Sequence, residues 1–225
     1  MKRACWGILG TVVLALLLMD QRPAQAGVVT GTVSLDTSTL SGPFELAFVF
    51  IDGSGTGDGN NTVTLGNFLF GGGSAGAVDT GLSTGGVSGD LTSGASLVDS
   101  SFFNVFASSF TPGSLLSFDF SLTTNVDGGG APDQLSLVLL QADGITPVAT
   151  EDPSGGDSLL TVNIDSASPA FSTFASDLTS APIVTTSAVP EPPTLLLLAI
   201  GLLSVGWATR THRPDRSGVN DRFRT

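Results

Sequence analysis

The chain has 225 residues, 20 acidic and 8 basic side chains and a net charge of -12, a length that fits one or two domains. No lysine, arginine or histidine lies between Gly27 and Thr209, so this span repels nucleic acid and other polyanions. The only cysteine is Cys5, so the span also lacks the residues for a disulfide framework and for Ser-His-Asp, Cys-His or Schiff-base catalysis, which leaves carboxylate chemistry or calcium.

Residues 1–26 have the three parts of a secretory signal peptide. Lys2 and Arg3 form the positive start, and residues 4–19 form the apolar segment. Ala24-Gln25-Ala26 is a cleavage site of the A-x-A type, which makes Gly27 the mature N-terminus. The sequence therefore predicts export and cleavage by signal peptidase.

The next segment, residues 27–180, is long enough to bury a core, at about 150 residues. Apolar and polar residues alternate in several stretches of this segment, as in strands with one buried face. The clearest stretches are residues 29–35, 46–50, 63–70, 116–122, 135–139 and 160–164. Asp143-Gly144 is typical of a hairpin turn. We predict an all-β ectodomain, a single jelly-roll-like β-sandwich of about eight strands, followed by a Ser/Thr/Pro linker at residues 181–189.

One stretch leaves two structures open. Phe102, Phe103, Phe106 and Phe110 follow each other at a spacing of one to four residues. A short helix and a bent strand both fit this pattern.

The best candidate for a metal site is the loop that starts at Asp52. Oxygen-bearing residues alternate with glycine, and Asp52, Asp58 and Asn60 are the predicted ligands of a calcium ion. The loop departs from an EF-hand because Val63 stands where the bidentate glutamate belongs. The alternative is a Gly-rich loop in which aspartate and asparagine stabilise turns.

Two further carboxylate chemistries have weak support in the sequence. Asp79-Thr80-Gly81 spells the triplet of aspartic proteases, but no second triplet occurs. A glycosidase pair would require two of the acids to converge, and sugar-binding aromatic side chains other than phenylalanine are absent from residues 27–189. We therefore predict no catalytic residue and a protein that is not an enzyme.

The C-terminal region has three parts in a fixed order. Pro190-Glu191-Pro192 comes first, and an uncharged Leu-rich helix is predicted at about residues 194–209, which suits a membrane. Arg210 opens a basic stretch at residues 210–216, which predicts a cytoplasmic tail by the positive-inside rule. Residues 217–225 complete the chain.

This tripartite region resembles the PEP-CTERM sorting signal, in the motif Pro190-Glu191-Pro192, the helix and the basic residues from Arg210. The resemblance implies transient anchoring in the inner membrane and processing by exosortase, a membrane protease-transpeptidase. The segment after Arg210 is longer than the family usually has. The ectodomain is also similar to those of small exported PEP-CTERM proteins, in residues 50–60, 85–90 and 110–113, and this similarity implies no activity.

From these observations we predict an exported protein of the cell surface or of an exopolysaccharide or biofilm matrix, with a structural role. The matrix role and extracellular polysaccharide as partner are implied by the resemblance alone. The alternative is a calcium-dependent carbohydrate-binding module, in which calcium ligates sugar hydroxyls. A carboxylate-only hydrolase is the third hypothesis.

Overall fold

The computed structural model describes residues 27–126, 131–165 and 168–188. The chain divides into two units, Met1–Val189 and Pro190–Thr225, and every described residue belongs to the first. The described ranges contain strands and turns, and they contain no helix of the length and apolarity that a membrane crossing requires. The predicted signal peptide and the helix at residues 194–209 lie outside the described residues.

Twelve β-strands make up the described domain. They are β1 (Gly27–Asp36), β2 (Phe44–Ile51), β3 (Thr62–Leu69), β4 (Ser74–Val78), β5 (Gly86–Asp90), β6 (Gly94–Val98), β7 (Phe103–Thr111), β8 (Leu115–Thr124), β9 (Asp133–Leu140), β10 (Ser158–Ile164), β11 (Ala170–Thr173) and β12 (Ile183–Ala188).

The strands form two antiparallel sheets of six strands each. Sheet A has the order β12-β1-β8-β3-β6-β5, and sheet B has the order β11-β10-β9-β2-β7-β4. The runs β1-β8-β3-β6 and β2-β7-β4 are the strand order of a jelly roll, with β5 placed in sheet A and β9 to β12 added at the edges. The prediction of an all-β fold in two antiparallel sheets is confirmed.

The core lies between the two sheets and is rich in phenylalanine. Phe48 of sheet B meets Phe118 of sheet A edge to face, with ring centroids 5.3 Å apart. Phe50 and Leu122 are fully buried beside them, and both belong to the alternating stretches of the sequence. Period-two patterning therefore sends one face of each strand into a shared core and the other face outward.

One segment differs from the prediction, and a second decides between the two structures that the sequence left open. Residues 181–189, predicted as a linker, contain β12, which pairs with β1 from Val29↔Ala188 to Ser34↔Ile183. The physical reason is that β1 offers a free edge, and β-branched residues such as Ile183, Val184 and Thr185 fit an added strand. The phenylalanine-rich stretch is strand β7, paired with β2 over eight residues, instead of a helix.

Candidate functional site

In the predicted calcium loop, backbone N–H groups of the loop itself donate hydrogen bonds to the carboxylate of Asp52. Oδ1 of Asp52 accepts hydrogen bonds from N and Oγ of Ser54, both at 2.7 Å, and from N of Gly55 at 3.2 Å. Oδ2 accepts a hydrogen bond from N of Gly57. Burial opposes ionisation of Asp52, but the hydrogen bonds from Ser54, Gly57 and Gly55 outweigh it and lower its pKa.

The other two predicted ligands point to each other. Asp58 accepts hydrogen bonds from N of Asn60 at 3.1 Å and from Nδ2 of Asn60 at 2.9 Å. Asp58 is exposed, whereas Asp52 is fully buried. In the described residues no group of three or more His, Cys, Asp or Glu side chains could hold a metal ion. Calcium binding by Asp52, Asp58 and Asn60 stays a prediction.

A buried network that the sequence did not indicate lies directly beneath this loop. N of Asn61 donates to both carboxylate oxygens of Asp99, at 3.1 and 3.0 Å. Nδ2 of Asn61 donates to Oδ2 of Asp133 at 2.7 Å, and N of Gly53 donates to Oδ1 of Asp133 at 2.7 Å. Burial, followed by the hydrogen bond and the charge of Asp133, raises the pKa of Asp99 to about 7. Asp99, which follows β6, and Asp133, which begins β9, therefore hold the loop at residues 52–61 through its hydrogen bonds from Gly53 and Asn61.

Half of the 14 aspartates in residues 27–189 form turns. Seven of them accept a hydrogen bond from a backbone N–H two or three residues further on, as an Asx turn requires. They are Asp36, Asp52, Asp58, Asp79, Asp90, Asp143 and Asp152. These carboxylates shape loops, and the N–H groups partly replace the basic side chains that the domain lacks.

The outer face of sheet A carries a row of hydroxyl groups, one from each of the six strands. Cross-strand pairing puts them in register, and on β8, β3 and β6 the residues next to them along the strand belong to the core. The row consists of Ser187, Thr30, Ser121, Thr64, Ser96 and Ser88. At an interstrand spacing of about 4.8 Å it crosses roughly 24 Å of the sheet. We call this surface the hydroxyl face.

A groove of about 520 Å³ lies on the hydroxyl face, over β12, β1, β8 and β3. A second row borders it, with Thr185 paired to Thr32 and Thr32 paired to Asp119. Asp119 is the single acid that lines the groove. Hydrogen bonds from Asn67 at 2.8 Å and Thr32 at 2.7 Å lower its pKa, so it is ionised at neutral pH. Asn67 has a φ of 53°, in an irregularity of β3 that turns it towards Asp119.

The described part of the chain is thus an acidic all-β domain without a basic side chain, and Pro190 begins a separate C-terminal unit. Residues 188–211 match the family model of the PEP-CTERM protein-sorting motif. The chain carries a PEP-CTERM signal, which marks it as an exported protein sorted by exosortase. The predicted motif residues Pro190, Glu191, Pro192 and Arg210 all lie within the matched range. No curated protein and no solved structure matches the chain.

Proposed function

We propose that the protein is a structural, non-enzymatic component of the cell surface or of the extracellular polysaccharide matrix, and that it contacts neutral polysaccharide through the hydroxyl face. The observation that carries this proposal is the groove of about 520 Å³ lined by threonine and serine hydroxyls. Hydroxyl groups both donate and accept hydrogen bonds, as sugar hydroxyls do.

Charge favours a neutral polymer over an acidic one. Residues 27–189 carry 16 acids and no base, so an anionic polysaccharide would be repelled. Within the groove only Asp119 is charged, and hydrogen bonds from Thr32 and Asn67 already engage both of its oxygens. The groove therefore offers uncharged hydrogen-bonding groups to a sugar, with Asp119 as its single charged side chain.

Composition supports the non-enzymatic part of the proposal. The domain has no histidine, cysteine or lysine to act as base or nucleophile. The Asp79-Thr80-Gly81 triplet is engaged in its own turn, where N of Gly81 donates to Oδ1 of Asp79 at 2.7 Å.

Binding of polysaccharide is tested by co-sedimentation of the full-length chain with cellulose, a neutral glucan, and by retention on alginate, an acidic polymer. Ser121→Arg places a bulky charge at the centre of the hydroxyl face, and we expect it to abolish binding to cellulose. Thr161→Arg is the matched control, because Thr161 lies on a strand of sheet B. Equal binding by the two variants, or a preference of the unchanged chain for alginate, would contradict the proposal.

Sorting has a separate test. In the proposed topology the segment around residues 194–209 crosses the inner membrane, the basic stretch from Arg210 stays in the cytoplasm, and exosortase removes the segment. We expect the exported protein from cells with active exosortase to lack residues 195–225 by mass spectrometry. Cells without the enzyme should retain them, and retention in both would refute this topology.

The alternative function, a calcium-dependent carbohydrate-binding module, rests on Asp52, Asp58 and Asn60. Its requirement for calcium is tested by the variants of Asp52 and Asp58 described in the Discussion.

A further inference from the structure

Glu45 is an acid in an unusual place. It lies on β2 between two core residues, Phe44 and Leu46, so its side chain projects from the outer side of sheet B. An outward glutamate on a strand is normally wet, yet only 6% of Glu45 is exposed. Its cross-strand neighbours are Ser109 of β7 and Leu140 of β9.

Two loops meet over Glu45 and cover it. One follows β4 and contains Asp79 and Leu82, and the other is the hairpin at Gly144. A methyl group built on Gly144 would lie 2.8 Å from Oε2 of Glu45, 3.5 Å from Oδ2 of Asp79 and 3.5 Å from Cδ1 of Leu82. Oε2 of Glu45 and Oδ2 of Asp79 therefore both lie beside Gly144 and within about 6 Å of each other, and Gly144, buried and at a φ of 66°, has no side chain to fill the space beneath it.

The carboxylate of Glu45 lacks the compensation that the other buried acids have. Oε1 is inaccessible to solvent and accepts no hydrogen bond from the part of the chain that the structure describes. A buried charge without a partner is costly, and a second carboxylate nearby adds repulsion. Burial, followed by the charge of Asp79, raises the pKa of Glu45. No basic side chain between Gly27 and Thr209 exists to neutralise the pair.

We propose that Glu45 and Asp79 bind a hard divalent cation, with calcium as the representative ion, at the point beneath Gly144. Calcium prefers carboxylate, carbonyl and water oxygens at about 2.3–2.6 Å, and it completes its shell with water where the protein supplies few ligands. Oδ1 of Asp79 accepts hydrogen bonds from N of Gly81 and of Leu82, which orients the carboxylate and leaves Oδ2 facing Glu45. At Asp52, by contrast, hydrogen bonds from the loop engage both oxygens.

This inference is independent of the proposed polysaccharide contact, since the hydroxyl face belongs to sheet A and Glu45 belongs to sheet B. The cation would join the loop after β4 to β2, beneath the hairpin after β9. Its binding would thereby stabilise the outer side of sheet B without any change at the groove.

The test is calorimetric titration of the full-length chain, stripped with chelator, with calcium chloride and separately with magnesium chloride at pH 7.5. We expect one saturable calcium site with a dissociation constant of roughly 10⁻⁴–10⁻³ M. Glu45→Gln and Asp79→Asn should each weaken calcium binding by about tenfold or more, because each removes a charged ligand. Asp58→Asn, in the loop of the other predicted calcium site, is the control and should leave this affinity unchanged.

A parallel melting experiment keeps the outcome interpretable. Calcium should raise the melting temperature of the unchanged chain and leave that of Glu45→Gln where it was. The variant is isosteric and removes a buried charge, so it should fold. Absence of binding up to about 10 mM calcium, unchanged binding in Glu45→Gln, or loss of binding in Asp58→Asn would each overturn the proposal. So would a Glu45→Gln variant that calcium stabilises as strongly as the unchanged chain.

Discussion

Replacing Asp99 with asparagine should make the domain more stable at neutral pH and remove most of its pH dependence. The pKa of Asp99 is raised from 3.8 to about 7 by burial and then by Asp133, so the folded state holds a proton that the unfolded chain releases. Stability is therefore full below about pH 4 and falls as the pH rises towards 7. At 1.36 kcal/mol per pKa unit, the loss between pH 5 and 7.5 is about 2–3 kcal/mol.

Asparagine is suited to this position because it has one donor and one acceptor in the shape of a protonated aspartic acid. Its oxygen can accept from N of Asn61 and its amide can donate to Asp133, as in the network described above. The variant should thus keep the fold while losing the titration. It should exceed the unchanged chain by about 4 kcal/mol at pH 7.5, which is nearly the whole shift from 3.8 to about 7, and match it near pH 4.

The assay is guanidinium unfolding of the full-length chain in chelator at pH 5, 6, 7 and 7.5, followed by far-UV circular dichroism. Tryptophan fluorescence is unsuited, because Trp6 and Trp207 both lie outside the β-domain at residues 27–189. The raised pKa of Glu45 adds a slope of the same sign, so Asp99→Asn is also measured in a Glu45→Gln background. A flat profile for the unchanged chain, or the same slope in Asp99→Asn, would refute the reasoning.

Three further predictions concern the loops and the core. Asp52→Ala should lower the melting temperature with or without calcium because four hydrogen bonds are lost. A rise in melting temperature with calcium that the unchanged chain shows and that both Asp52→Ala and Asp58→Ala lose would instead favour the predicted loop site. The pKa of Asp143 is lowered to about 2 by hydrogen bonds from the hydroxyl and N of Thr146, so its stabilising effect should be present above pH 4 and vanish towards pH 2, which melting of Asp143→Ala across that range checks. Phe48→Ala should cost about 3–5 kcal/mol in guanidinium unfolding, since the ring is fully buried against Phe118; a loss under 1 kcal/mol would show that the two sheets are not packed as described.

The sequence predicted those strands whose two faces differ in polarity. β8 and β10 alternate large apolar residues with polar ones, and their predicted limits were close to the observed ones. β4 and β5 were missed because Ser74–Val78 and Gly86–Asp90 are short and made largely of small residues, so they show no strong period. Their strand structure comes from pairing with β7 and β6, a long-range contact that local pattern does not reveal.

The candidate sites also divide into features that the local sequence pattern indicates and features that arise only from long-range contacts. Alternation around Asp52 predicted a calcium loop, and in the structure hydrogen bonds from the loop's own backbone engage both oxygens of that aspartate. Asp99 and Asp133 are distant in sequence, and only the sandwich brings them together. Glu45 should face water by the strand period, and it is buried because loops from two other parts of the chain fold over it.

A domain with many acids and no base must accommodate its charge by other means, and it does so in two ways. Half of the aspartates lie in turns, where backbone N–H groups solvate the carboxylate locally. Three acids, Glu45, Asp99 and Asp133, instead lie buried on strands or beside strand ends. A buried carboxylate near another can lose its repulsion only by taking up a proton or a cation, because the domain supplies no counter-charge. The response of the fold to pH and to divalent ions should therefore be concentrated at two pairs of acids, Asp99 with Asp133 and Glu45 with Asp79. Burial and the neighbouring Asp133 favour a proton on Asp99 despite the hydrogen bond from Asn61. At Glu45, the absence of any donor to Oε1 in the described part of the chain favours a cation bound with Asp79.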